Sequence, residues 1–294
     1  MATDTLYQHY TTQFSTNWIH LLGQMKSRLD QWIEFDDFTG ERKRYDRIGK
    51  VTAQVITDRK GATRIQDIDM DLRWAIRQAV DVANTYAEDD ALNLGSLVLP
   101  TSPTLMEHTR AYNRDMDSVA IQGALGNVIT GQLGTTPTAL PGTQTIVHGG
   151  TGLTLAKLIQ AREILDEADV DDNPGDRVLC VTPKQISTLL NTTEVKSADY
   201  NTIRALAKGE VDSFCGFKFV TFGSGTNSLV PKASTTRSCV GWIKGSVKVM
   251  RGAKKVHMDL LPSKQHTLQL RSVWHRGTTR LHDEGIVVIE CTES

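Results

Sequence analysis

Across residues 7–33 the large apolar positions are Tyr7, Tyr10, Phe14, Trp18, Leu21, Met25, Leu29 and Trp32. Intervals of three and four place them on one face of a helix. That face reads in two ways: packed on the chain's own core, or part of an N-terminal arm, residues 1–33, covered by a neighbouring chain. The period changes downstream. Val51, Ala53 and Val55 alternate with Thr52 and Gln54, the pattern of a strand with one half-buried face. "DRKGAT" at 58–63 then supplies a turn, with Gly61 free to take a positive φ. Residues 34–72 therefore predict a long, strongly charged hairpin with too little apolar surface to form a core. Such a hairpin must lie on something.

The clearest helix spans 102–130. Ser102 is a cap, Pro103 suits the first helical position and Gly131 ends the run. Leu105, Tyr112, Met116, Val119, Ala120, Ala124 and Val128 keep the helical spacing. At 1.5 Å per residue this is a rod of roughly 40 Å. Gly123 and Gly126 weaken its second half, which implies a close backbone approach or a bend. A second amphipathic helix follows in "LTLAKLIQAREILDEADV". Next come a strand at 177–182, helices at 183–190 and 200–208, and a strand at 217–222. Further strands are predicted at 239–243, 246–250, 267–274 and 285–291. Helices and strands mixed without a regular βαβ rhythm make the fold class α+β.

Composition adds constraints. The 294 residues suffice for one large domain or two modest ones. Thirty-three basic side chains nearly cancel thirty-four acidic ones. That balance argues against a dedicated nucleic-acid binder and lets like subunits approach without strong repulsion. The first residues lack the basic and apolar regions of a signal peptide. No run approaches the roughly 18 apolar residues of a membrane helix, so synthesis and folding in a cytosol are expected. Cys180, Cys215, Cys239 and Cys291 are widely spaced beside apolar runs and read as small core residues.

Candidate chemistry fails on inspection. "HGGTGLTLAKL" at 148–158 has glycines before a helix but neither the Walker nor the dinucleotide pattern; it reads as a loop-to-helix hinge. "DVDDNPGD" at 169–176 begins like a calcium loop, yet Pro174 stands where the turn needs Gly and Cys180 where Glu should close the site. The histidines lack zinc spacing, and no Ser or Cys carries a nucleophile motif. No catalytic residue, cofactor or metal is expected. Two basic clusters remain: Arg42, Lys43, Arg44, Arg47 and Lys50, then Lys244, Lys248, Arg251, Lys254 and Lys255. They read either as solvated faces or as intersubunit contacts with acids such as Asp67, Asp69 and Asp71 or the run from Glu88 to Asp90. Phosphate binding ranks third, because little aromatic material accompanies the charges.

Several segments, in order, resemble the major capsid proteins of tailed double-stranded DNA bacteriophages, with their HK-97-like fold. "FTGERKRYDRIGKVTAQ" resembles the strand entering the family's extended E-loop, and "RWAIRQAVDVANTYAEDDALN" the return from it. "AYNRDMDSVAIQGALGNVITG" is similar to the long spine helix. "DRVLCVTPKQISTLL" and "DYNTIRALAKGEVDSFCGFKFV" resemble later peripheral and axial segments, and "RLHDEGIVVIEC" the closing strand. The resemblance implies an N-terminal arm (1–33), an E-loop hairpin with its base (34–93) and a peripheral domain (94–180) holding the spine helix. A mainly axial domain (181–266) and closing strands returning to the peripheral domain (267–294) complete it.

It also implies a structural role without catalysis. Copies would form pentamers and hexamers and close an icosahedral shell around double-stranded DNA, in the virion, after assembly in the host cytoplasm. Implied partners are a separate scaffolding protein, since nothing ahead of the arm matches a scaffolding segment, a portal protein at one vertex and a decoration or cement protein. Packaged DNA would be contacted non-specifically, and no membrane is involved. The subunit-contact candidates are Trp18, Arg42, Arg44, Arg47, Lys50, Asp67 and Asp69. Two alternatives stay open: an encapsulin-like shell, and a cytosolic α+β enzyme using a carboxylate pair around Asp166 to Asp172.

Overall fold

The computed structural model describes residues 24–37, 39–59, 61–63, 65–86, 103–168, 176–191, 213–225 and 228–293. In chain order the strands of the first part are β1 (Glu34–Asp37), β2 (Arg42–Ile48), β3 (Met70–Ile76) and β4 (Gln78–Tyr86). Helix α1 (Pro103–Leu125) leads to β5 (Val128–Thr130), β6 (Thr136–Thr138) and β7 (Thr145–Ile146). Then follow α2 (Leu155–Glu167), β8 (Arg177–Val181), α3 (Pro183–Asn191), β9 (Ser213–Phe214) and β10 (Phe217–Thr221). The remaining strands are β11 (Lys232–Ala233), β12 (Thr236–Ile243), β13 (Val247–Arg251), β14 (Lys255–Leu261), β15 (Thr267–Arg280) and β16 (Ile286–Thr292).

These strands build three sheets. The seven-stranded sheet runs β7-β16-β12-β8-β10-β9, with β11 also on β12. Its strand β8, "RVLCV", is buried at every position, the mark of a strand covered on both faces. In the five-stranded sheet the long β15 pairs with β4 along one side. Its other side pairs with β14 and, nearer its C-terminus, β13. The four-stranded sheet, β2-β3-β5-β6, holds the hairpin base. The chain switches from this sheet to the five-stranded one at Arg77, whose N–H donates to Glu41 O at 2.9 Å.

Helix α1 buries Met116, Val119, Ala120, Ile121 and Ala124. Gly123 explains how closely it lies on the sheet: a Cβ there would come within 2.0 Å of Thr278 Oγ1 on β15. The close neighbour of this glycine is the Thr278 side chain, not the passing backbone expected from the sequence. The helix ends at Leu125, not at 130, because Gly126 breaks it and Val128–Thr130 leaves as β5. Twenty-three residues give about 35 Å at 1.5 Å each.

Other expectations need correcting. Residues 51–55 form no strand and no half-buried face; all five are exposed. Strand pairing stops at Ile48 and Met70, because among the described residues no layer lies beside the loop to reward burial. Gly61 does not take a positive φ. The helical stripe predicted to run to residue 33 is, from residue 24 on, a short 3₁₀ turn at Asp30–Trp32. Cys180, Cys239 and Cys291 are core residues, whereas Cys215 is half-buried in the β9–β10 turn with φ 52°. The stripe from 7 to 23, Trp18 within it, the 200–208 helix, the acids at 88–90 and most of the acidic turn at 169–176 lie outside the described residues.

Candidate assembly surfaces

The N-terminal segment is fixed to the spine helix by one carboxylate. Asp117 of α1, fully buried, accepts from Ser27 Oγ at 2.6 Å, from the Arg28 and Leu29 amides at 3.0 and 3.2 Å, and from Gln24. Leu29 and Trp32 are thereby held in the core. Trp242 Nε1 donates to Trp32 O at 3.1 Å, and Lys218 Nζ sits 5.0 Å from the Trp32 ring centroid.

The C-terminus has its own anchor. Glu293, 5% exposed, accepts from Arg237 Nε and Nη2, both at 3.0 Å, and from Gln185 at 2.7 Å; Lys232 lies 3.0 Å away. Burial alone would raise its pKa, but the hydrogen bonds from Arg237, Gln185 and Lys232 hold the carboxyl down to about 2. At the glycine loop 148–154, the Lys157 ammonium donates to the carbonyls of His148, Thr151, Gly152 and Glu290 at 2.8–3.0 Å. Its burial depresses the pKa. This glycine loop therefore holds a lysine of its own chain.

A third network fastens the hairpin base. Arg73 on β3 meets Asp71 and Asp283, each at 2.9 Å. The fully buried Arg280 also binds Asp283. Its other nitrogens donate to the carbonyls of Ala124 (3.3 Å), Gly126 (2.7 Å) and Thr138 (3.3 Å). Arg280 thus occupies the orphan carbonyls at the end of α1 and shares one carboxylate with the hairpin. On the outer side Arg47 reaches Asp71 at 3.8 Å and Glu284 at 3.4 Å.

Beyond this base the chain is bare. Val55, Ile56 and Ile65 are each 80–90% exposed. The two limbs splay around a space of about 690 Å³ lined by their own residues, among them Val51, Gln54 and Gln66. Apolar side chains and unladdered backbone in one segment mark a surface meant for a partner.

Apart from Trp18, which lies outside the described residues, the contact candidates fall on or beside this segment. Arg42 is exposed on β2. Arg44 pairs with Asp46 at 2.8 Å, and Lys50 Nζ donates to Ala168 O at 3.4 Å. Lys43 pairs with Asp36 at 2.5 Å, and Lys248 of the second basic cluster with Glu34 at 3.4 Å. Much of the basic charge is therefore balanced within the chain. Asp67 and Asp69 are exposed on the returning limb. Sequence reasoning missed Asp117, Arg73, Arg280, Asp283 and Glu293. Asp166, in the enzyme alternative, pairs with Arg177 at 2.7 Å and Arg162 at 3.3 Å. Among the described residues no cluster of His, Cys, Asp or Glu is placed to hold a metal, and no helix is long and apolar enough to cross a membrane.

A self-sufficient body carrying an uncovered hairpin defines a class: a subunit that is completed by others. The model of the phage capsid protein family matches residues 6–293, and the chain belongs to that family. No curated protein sequence matches it. Its fold is similar to the capsid structure of cyanophage P-SCSP1u, at 14% identity and a TM-score of 0.69, covering 98% of this chain and 94% of that one. It is also similar to the acid-stable capsid of Helicobacter pylori bacteriophage KHP30, at 7% identity and a TM-score of 0.68, covering 99% and 98%. A third similar structure is the capsid asymmetric unit of cyanophage Pam1, at 13% identity and a TM-score of 0.65, covering 99% of each chain. The fold is HK-97-like. The protein is a structural component of a phage capsid, located in the virion, and not an enzyme. The encapsulin-like and enzyme alternatives receive no support.

Proposed function

We propose that this is the major shell subunit of a tailed phage and assembles as pentamers and hexamers into an icosahedral capsid around double-stranded DNA. The observation that carries the reading is the hairpin beyond Ile48 and Met70, clamped at its base and uncovered along its length. Residues 34–93 act as the E-loop with its base, 94–180 as the peripheral domain, 181–266 mainly as the axial domain and 267–294 as closing strands. The N-terminal arm with Trp18, the hairpin cations Arg42, Arg44, Arg47 and Lys50, and the acids Asp67 and Asp69 meet neighbouring copies. Interfaces of this kind gain chiefly from buried apolar area, with charge fixing register. A separate scaffolding protein, a portal protein at one vertex and a decoration protein complete the particle, which is built in the host cytoplasm and contacts its DNA non-specifically. The purified protein, with and without its scaffolding partner, is examined by sedimentation and negative-stain microscopy. Closed shells, or rings of five and six, are expected; a monomer under every condition would refute the reading.

A further inference from the structure

Helix α1 covers one face of the five-stranded sheet as far as β15. There His108 Nδ1 of the helix lies 2.9 Å from Ser272 Oγ, and Leu270 and Trp274 are buried on the same face as Ser272. One strand further out the cover ends. Val256, Met258 and Leu260 of β14 stand opposite Ser272, Leu270 and Leu268 and share their face. Yet they are 45%, 40% and 61% exposed. Within the sheet β14 pairs with β15 alone, so among the described residues its outer edge has no strand beside it. An apolar row along an open edge is a place for another strand. The order of residues on β14 says which one. Turned antiparallel upon itself about Met258, the strand sets Val256 opposite Leu260, His257 opposite Asp259 and Met258 opposite Met258. His257 and Asp259 are exposed on the face away from the apolar row.

We propose that β14 of one copy pairs antiparallel with β14 of a second copy across a two-fold axis at Met258, joining two five-stranded sheets edge to edge. The inference rests on the shell reading above and deepens it. Both copies present the same patch, as an isologous contact requires, and the open backbone groups of each edge find partners, the β-augmentation mode of recognition. On the α1 side the apolar rows of the two strands meet as one, in cross-strand contact. On the other side an imidazole N–H of each His257 donates to the Asp259 carboxylate of the second copy. At the ends the stem of Lys255 covers Leu261 while its ammonium stays in water. The neighbouring registers fit less well. An axis at Asp259 sets two carboxylates against each other. An axis at His257 brings Lys255 to Asp259 but sets two imidazoles together. It also puts Leu260 opposite Lys254, whose ammonium already donates to Thr109 Oγ1 at 3.0 Å. Copies within a ring are related by turns about the ring's own axis, so this two-fold contact joins one ring to the next.

Two sets of variants test this in the full chain. His257→Asp faces two pairs of carboxylates across the axis and should cut the yield of closed shells roughly tenfold. Circular dichroism and the thermal midpoint of the free subunit should stay unchanged. Adding Asp259→His exchanges the partners and should restore most of the yield, which a merely misfolded chain, or pairing about His257, would not allow. Separately, shells of Met258→Cys are treated with oxidised glutathione, which is reduced to two thiols as each disulfide forms. Because the cysteine lies on the axis, linked dimers and no longer ladders are expected on a non-reducing gel. Val256→Cys alone, several residues from its own copy, should give none, and neither should the wild type. Wild-type yield from His257→Asp, no rescue by the exchange, intact Met258→Cys shells that run as monomers, or equal linkage through Val256→Cys would overturn the pairing while leaving the shell reading standing. A wild-type protein that forms no assembly would overturn both.

Discussion

Strand β8 and the hairpin loop at 49–69 both carry branched apolar residues, Val178 and Val181 in one and Val55, Ile56 and Ile65 in the other, and these end in opposite situations. Every β8 residue is buried between neighbouring strands and packed layers, while Val55, Ile56 and Ile65 face solvent. The difference lies in what each segment can reach within one chain. The body satisfies itself through apolar packing and buried polar anchors such as Asp117, Arg280 and Glu293. The hairpin is satisfied only at its root. On the proposed reading, one chain contains a stability module and an assembly module, and mutations should divide along that line.

The largest effect is expected in the body. Trp242 of β12, fully buried, joins the seven-stranded sheet to the N-terminal segment at Trp32, so Trp242→Ala should cost about 3–5 kcal/mol. Chemical denaturation of the free subunit measures it. Next comes the C-terminal anchor. Glu293→Gln leaves Arg237 buried without its counter-charge and should destabilise by about 3 kcal/mol. The wild-type pH profile gives a sharper reading. Because the folded pKa of Glu293 lies near 2, below its unfolded value of 4.5, its contribution is complete above pH 4.5. That contribution fades as pH falls towards 2, and the Gln variant should lack this part of the slope.

Asp117→Ala is expected to cost about 2 kcal/mol, by leaving the Arg28 and Leu29 amides without their acceptor. Its signature should be early hydrogen exchange at residues 28–33. The smallest effect on stability belongs to the hairpin. Ile56→Ser should leave the free subunit within about 0.5 kcal/mol of wild type while reducing the yield of shells. If that change unfolded the subunit, the division between modules would fail.

Much of this division is legible in the sequence. The 3–4 spacing from Leu105 to Ala124 locates α1, and apolar runs locate β8, β10, β12 and β16. That the charged hairpin lacks a core of its own is likewise visible in its composition. What misleads is alternation without a layer: Val51, Ala53 and Val55 have the period of a strand, but nothing among the described residues covers them. The charges of "RKRYDRI" conceal β2, where Lys43, Tyr45 and Arg47 are the half-buried positions. The anchors are invisible for another reason. Asp283 joins Arg73 to Arg280 across some 210 residues of sequence, and Glu293 meets Gln185 across 108. No local pattern marks such pairings, because each residue alone looks like ordinary surface charge.

The most direct test of the two-module account is amide hydrogen exchange on free subunits and on assembled shells, compared residue by residue. The account predicts that β8, β12 and β16 are protected in both states, whereas residues 49–69 exchange freely in the subunit and become protected only in the shell. Protection of 49–69 in the free subunit, or free exchange there within intact shells, would contradict it.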